Sequence, residues 1–114
     1  MGKFVLVIVG PTCSGKTALS LLISKKINAE IISADSRQFY KYLNIGTAKP
    51  TPEELNLVKH HLIDFLNPDE YYNVSKFESD SNNLINQILQ KGKTPLLVGG
   101  SGLYIKAVID GIFG

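Results

Sequence analysis

The sequence predicts an α/β domain, a parallel sheet flanked by helices. Two observations carry that prediction: an apolar, β-branched run opens the chain, and extended and helical patterns alternate after it. A third is the segment that joins the first run to the first helix. Gly10, Pro11, Thr12, Cys13, Ser14, Gly15, Lys16 and Thr17 fit the spacing G-x-x-x-x-G-K-[ST] between a strand and a helix.

The elements follow in order. Phe4 to Val9 is apolar at every position, as in a strand buried on both faces with neighbours on either side. Gly10 to Gly15 reads as loop, and Lys16 to Ile27 as a helix with an apolar stripe of Leu19, Leu22, Ile23 and Ile27. Glu30 to Ala34 is a second short strand that ends at Asp35. Ser36 to Pro52 lacks periodicity and contains Gly46, Pro50 and Pro52, so it reads as loop with short turns. Thr47 or Thr51 is placed to cap a short helix over Glu53 to Val58. His60 to Phe65 is a short extended piece. Val74 to Gln90 is the clearest amphipathic helix, with Phe77, Leu84, Ile85, Ile88 and Leu89 on one face and Gly92 closing it. Pro95 to Val98 is a third strand, Gly99 to Gly102 a turn, and Leu103 to Ile109 a last helix.

Composition narrows the class. A chain of 114 residues is one domain by length, and 44% hydrophobic with 19% charged residues is ordinary for a soluble globular protein. A net charge of +2 neither demands nor forbids a nucleic-acid partner. Arg37 is the only arginine, which argues against extensive phosphate-backbone clamping by these residues alone. The single cysteine, Cys13, excludes an internal disulfide and fits a reducing compartment. The apolar run at the N-terminus is short and leads into a glycine-rich loop rather than a cleavage site, so it is not a signal peptide. No stretch approaches the roughly 20 apolar residues of a membrane span. A cytoplasmic protein without a membrane partner is the expectation. Few strands flank the opening one, and Ile112 and Phe113 follow directly on a helix. The chain is therefore expected to be the N-terminal piece of a longer enzyme, with an incomplete sheet.

The loop from Gly10 to Thr17 has a specific physics. Its glycines let several amide N–H groups converge on one anion, and the helix that follows adds the partial positive charge of its N-terminus. Lys16 supplies a full charge, and the Thr17 hydroxyl suits Mg²⁺. Cys13 reads as a small residue in a tight turn, since no base is assigned to it. The loop makes the sheet P-loop NTPase-like but does not name the reaction: NTPases, small-molecule kinases and prenyl transferases all hold phosphates in this way. The third strand, Leu96 to Val98, runs into Gly99, Gly100, Ser101 and Gly102 without the acid that usually organises magnesium. The acid follows the second strand, at Asp35. Strand C-termini face the ligand crevice of an open parallel sheet, so Asp35 is expected near the phosphate loop. There it is placed to orient a nucleophile and take its proton; a magnesium-bridging or helix-capping role is equally compatible with the pattern.

Four motifs, GPTCSGKT, DSRQFYKYLNIGTAKPTPEE, HHLIDFLNPDEYYNVSKF and PLLVGGSGLYIKAVIDG, together resemble the tRNA dimethylallyltransferase (tRNA isopentenyltransferase) family from about Phe4 to Gly111. The resemblance implies transfer of a dimethylallyl group from dimethylallyl diphosphate to the exocyclic N6 amine of the tRNA adenosine just 3′ of the anticodon. It places diphosphate binding on Thr12 to Thr17, with Mg²⁺ as cofactor. It makes Asp35 the acid that activates the amine, with Lys16 and Thr17 beside it in catalysis. Asp35, Ser36, Arg37, Gln38 and Ser101 become the residues that touch tRNA. Ser101 stands where the family more often has threonine, which keeps the hydroxyl, and Arg37 where methionine is commoner. Members of the family are well over twice this length, with a helical insertion that begins about where this chain ends, and a leaving-group arginine lies beyond Gly114. The full-length enzyme is expected to be a monomer and the fragment alone inactive. Two other acceptors compete: a free adenylate, which would make a cytokinin, or a small metabolite phosphorylated by a P-loop kinase.

Other features have blander readings. His60 and His61, adjacent in an extended piece, point to opposite sides and favour structural packing over a shared metal ion. Tyr40, Tyr42, Tyr71 and Tyr72 read first as packing residues, Tyr40 being the best exception because it follows Gln38. Lys41, Lys49 and Lys59 read as solvated lysines, of which Lys49, between Gly46 and Pro50, is the most directed.

Overall fold

Residues rich in β-branched and apolar side chains pair where the sequence places them. In the computed structural model, which describes residues 5–9, 16–41, 50–99 and 102–113, the strands are β1 (Leu6–Val9), β2 (Ala29–Ser33), β3 (His60–His61) and β4 (Thr94–Gly99). The helices are α1 (Lys16–Ile27), α2 (Ser36–Phe39), α3 (Pro52–Leu57), α4 (Val74–Gln90) and α5 (Gly102–Phe113). All strand pairs are parallel and the order is β1-β4-β2-β3. This is the α/β architecture read from the sequence, and the neighbours of known structure described below share it.

The sheet's two faces have separate cores. Ile31 and Leu96 lie on one face with Ala29 and Val58, where Leu21, Ile23 and Ile27 of α1 cover them. Ile32 and Leu97, one residue further on, lie on the other face beneath Phe77, Ile85 and Ile88 of α4 and Ile105 and Val108 of α5. A strand's side chains alternate sides, so one register slip would exchange the two cores.

Several expectations change. Among the described residues β1 pairs with β4 on one side, and Val7 (37%) and Val9 (51%) are exposed. The inner place belongs to β4, which hydrogen-bonds on both sides and buries Pro95, Leu96 and Leu97. The stripe assigned to α1 also differs. Leu19 and Leu22 face outward, while Ser20 and Ser24, one turn apart, are buried. Small side chains on the inner face let the helix approach the sheet closely, and Leu21 joins Ile23 and Ile27 as its apolar contact. Ser36–Phe39 forms a short helix where loop was expected, and α5 runs on to Phe113.

The helix ends obey local chemistry. Thr51 caps α3 in a reciprocal box, its hydroxyl accepting from the Glu54 amide (3.2 Å) while its own amide donates to the Glu54 carboxylate (2.8 Å). Thr47, the alternative cap, lies outside the described residues. Asn73 caps α4 by accepting from the Lys76 amide. Gly92, at φ 78°, closes that helix in the left-handed conformation that glycine adopts without strain. The piece from His60 to Phe65 is strand only at its first two residues, after which Leu62 (φ 65°) and Asp64 (φ 54°) turn it.

At the N-terminal edge of the sheet, Glu30 is buried against one histidine and two lysines. Its carboxylate accepts from His61 Nε2 at 2.7 Å, and Lys91 and Lys93 lie at 3.2 and 3.3 Å. Burial alone would raise its pKa; hydrogen bonds from His61, Lys91 and Lys93 outweigh that and hold it at about 2, below the ordinary 4.5. His60 Nδ1 donates to the Val58 carbonyl at 2.8 Å. Both histidines are thus structural, and among the described residues no group of three His, Cys, Asp or Glu converges as metal ligands.

Two predictions follow from these contacts. The lowered Glu30 pKa stabilises the fold above the unfolded value near 4.5, a gain lost as pH falls towards 2. Urea midpoints measured at pH 7, 4.5 and 3 will fall across that window, and Glu30→Gln will flatten the fall. Gly99→Ala will destabilise by about 1–3 kcal/mol in urea unfolding. A Cβ there would stand 2.9 Å from the Ala34 carbonyl oxygen and 3.1 Å from Ile105 Cδ1.

Candidate functional site

The C-terminal edge of a parallel sheet is where ligands bind, and the register brings three chain segments there at one level. Val9 pairs with Gly99, and Ser33 with Val98; the Ala34 amide donates to the Val98 carbonyl at 2.8 Å. Val9 and Ala34 therefore flank the end of β4, about 10 Å apart across two strand spacings. The phosphate-loop residues Gly10, Pro11, Thr12, Cys13, Ser14 and Gly15 lie outside the described residues, as does Ser101. Lys16 and Thr17 open α1, whose N-terminus carries the positive end of the helix dipole. Asp35 follows β2 directly and is nearly buried, at 9% exposure. Its backbone carbonyl accepts from the Gln38 amide at 2.9 Å, the first bond of α2. The sheet thus brings Asp35 and the strand leading into the phosphate loop to one edge.

Ser36, Arg37, Gln38 and Phe39 form α2. Gln38 is half-buried; its backbone carbonyl accepts from the Asp64 amide (2.9 Å), and Ser33 Oγ donates to its Oε1 (2.9 Å). Phe39 is fully buried. Its ring stacks on Phe77 with centroids 5.6 Å apart and meets Phe65, Tyr72 and Tyr104 edge-on at 5.5, 5.4 and 5.6 Å. The Phe39 carbonyl accepts from the Phe65 and Leu66 amides, and the Lys41 amide donates to Leu66. The segment after β3 therefore clasps α2 from outside, a role that no sequence pattern announces. Phe39 was legible only as an apolar residue in an aperiodic stretch. Tyr72 donates to Asp80 Oδ2 at 2.6 Å, and burial followed by that bond pushes its phenol well above its usual range. Tyr40 packs against the same core and donates to the Glu70 carbonyl at 3.2 Å. Tyr71 is the exposed one, with Lys76 Nζ 5.8 Å from its ring centre. Tyr42 and Lys49 lie outside the described residues.

The donors at this edge suit a hard divalent cation that keeps water and ligand oxygens in its shell. Asp35 offers a carboxylate there, and Mg²⁺ needs only one or two oxygens from protein when phosphates supply others. A carboxylate of this kind is a donor that such a cation accepts.

The family model of the IPP transferases matches residues 38–114. A tRNA dimethylallyltransferase of Staphylococcus aureus is 55% identical over 106 residues, 93% of this chain and 34% of that protein. Among solved structures, the full-length tRNA isopentenylpyrophosphate transferase of Bacillus halodurans superposes with a TM-score of 0.91 at 46% identity, over 96% of this chain and 36% of its own. A tRNA isopentenylpyrophosphate transferase of Staphylococcus epidermidis gives 0.89 at 47% identity, over 94% and 35%. A eukaryotic dimethylallyltransferase acting on tRNA gives 0.87 at 37%, over 93% and 26%. The chain spans about a third of the length of the bacterial relatives.

Because Phe39 fixes α2 to the core, Phe39→Ala will cost about 3–5 kcal/mol in chemical denaturation. Tyr104→Phe, which keeps the ring, will leave the unfolding midpoint nearly unchanged.

Proposed function

The chain belongs to the IPP transferase family, and on that premise we propose that it supplies the diphosphate site and the catalytic acid of a tRNA prenyl transferase. The donor is dimethylallyl diphosphate and the acceptor is the N6 amine of the tRNA adenosine 3′ of the anticodon. The supporting observation is the sheet register, which sets Asp35 at the same edge as the strand and helix that frame the phosphate loop.

The residues divide the chemistry between them. The amides of Gly10 to Gly15, the α1 N-terminus and the Lys16 ammonium bind the diphosphate and stabilise the charge that builds as the allylic C–O bond breaks. Mg²⁺, held by Thr17, would add Lewis-acid stabilisation of the same oxygens. The adenine amine is a weak nucleophile because its lone pair is delocalised into the ring. Asp35 accepts its hydrogen bond, and as the new C–N bond forms it takes the proton that the nitrogen sheds. Ser36, Arg37, Gln38 and Ser101 contact the target nucleotide, whose base must leave its stack to reach the allyl carbon. The reaction belongs to the cytoplasm, where tRNA is processed. The enzyme works as a monomer.

The test uses the chain as it stands and grafted in place of the matching third of the Staphylococcus aureus enzyme. Each form is given dimethylallyl diphosphate with unmodified tRNA or AMP, and the nucleosides are analysed for prenyl adenosine. The graft is expected to modify tRNA and not AMP, while the chain alone binds inorganic pyrophosphate without turnover. Modification of AMP alone, or none by the graft, overturns the reading. In the graft, Asp35→Ala will lower turnover by about 10²–10⁴-fold, the range for a general base, with pyrophosphate affinity nearly intact.

A further inference from the structure

Four of the five tyrosines are described, and three of these, Tyr40, Tyr72 and Tyr104, pack against the core under α4 and α5. The fourth does not. Tyr71 is 74% exposed and belongs to neither apolar core. We propose that Tyr71 is a stacking platform for an unpaired tRNA base that neighbours the target adenosine. The inference deepens the proposed function and rests on it.

Backbone ties place the ring near the site. Tyr40, five residues beyond Asp35, donates from its phenol to the carbonyl of Glu70, the residue before Tyr71. The chain at Tyr71 is thereby held to the far end of α2, whose Ser36, Arg37 and Gln38 meet the target nucleotide in the proposed reaction. The Tyr104 phenol is held above its usual range by burial and then by the phenols of Tyr40 and Tyr71, so it lies near both. Tyr104 is in the first turn of α5, directly after the C-terminal end of β4. Tyr71 therefore stands on the side of the ligand edge, away from Glu30.

An exposed aromatic ring is not by itself a site, since single apolar residues are common on surfaces. Tyr71 differs because both its neighbours are fixed. The Glu70 amide donates to the Asn67 carbonyl (3.0 Å), and the Glu70 carboxylate accepts from the Asn67 amide (2.8 Å). Tyr72 is pinned by its bond to Asp80 and by edge-on contacts with Phe39 and Phe65 at 5.4 and 5.2 Å. Lys76 Nζ, from the first turn of α4, donates to the Tyr71 carbonyl at 3.4 Å and lies 5.8 Å from the ring centre. A tyrosine has two side-chain torsions, so on a fixed backbone it loses little entropy when a base covers it.

Chemistry selects the partner. An unpaired base stacks on an aromatic ring whatever its identity, because every base has a π-face. Extruding the target adenosine leaves its neighbours without a stacking partner, and a ring beside the site replaces it. Lys76 is set against Asp69 and Glu70, so the ring rather than net charge carries the contact.

The experiment measures binding of the grafted enzyme to three anticodon stem-loops: the unmodified RNA, and two that lack the base 5′ or 3′ of the target adenosine. Tyr71→Ala is expected to weaken binding of the complete loop by about 5- to 100-fold, the range for one stacked base. The salt dependence should not change, because a neutral ring releases no counterions. Nor should the urea midpoint, because the ring lies outside both cores. Tyr71→Phe keeps the π-face and should bind within about two-fold of the parent. The deciding result is the cycle: with one of the two abasic loops, Tyr71→Ala should cost nothing further. Unchanged affinity for the complete loop, an equal loss with all three loops, or a lower urea midpoint as the sole effect overturns the platform. A parent graft that modifies no tRNA overturns the proposed function instead, and the inference with it.

Discussion

Everything at the ligand edge depends on β4 being hydrogen-bonded on both sides. It pairs with β1 through Leu6 to Val9 and with β2 through Ala29 to Ser33. The strand that enters the phosphate loop and the strand that delivers Asp35 never touch each other. Their relative height is set through shared neighbours, β4 by hydrogen bonds and α1 by packing. A one-residue slip on either side would move one of them by about 3.3 Å and turn its core residues outward. The buried pair Leu96 and Leu97, one for each face, is what makes such a slip costly. Gly99, with no room for a side chain, lets the end of β4 lie close to Ala34.

The sequence was informative where period and chemistry agree. The amphipathic helix at Val74–Gln90, the cap at Thr51 and the closing glycine at Gly92 were legible because each depends on local rules. Strand order was not, since an all-apolar strand carries no pattern that names its neighbours. The inner face of α1 was misread because small polar side chains, Ser20 and Ser24, are buried where the helix approaches the sheet. Hydropathy counts serine as polar regardless of how closely two elements approach. For the site, Asp35 was legible as an acid at a strand end. The support of α2 was not, because it comes from Phe65 and Leu66, more than twenty residues away, through backbone bonds that no side-chain pattern announces.

The two edges of the sheet use charge in opposite ways. At the N-terminal edge, Glu30 satisfies His61, Lys91 and Lys93, and the last turn of α1 carries Lys25 and Lys26 beside its negative dipole end. Charge there is neutralised by protein and serves the fold. At the C-terminal edge the positive end of the α1 dipole and Asp35 lie at the same side of the sheet. A helix N-terminus is complementary to an anionic ligand.

The pairing of Leu6 with Leu96 also has a consequence in time. A ribosome emits roughly 5–20 residues each second, so the opening strand is made about 5–20 s before its partner exists. During that interval Val5 to Val9 is an apolar segment with no sheet to join, while α1 can already coil locally. The loop-closure entropy of so distant a contact is met only once β4 has emerged and docked against β2. Nascent-chain chaperones that mask short hydrophobic segments would find one in the first ten residues, well before the domain can shield it.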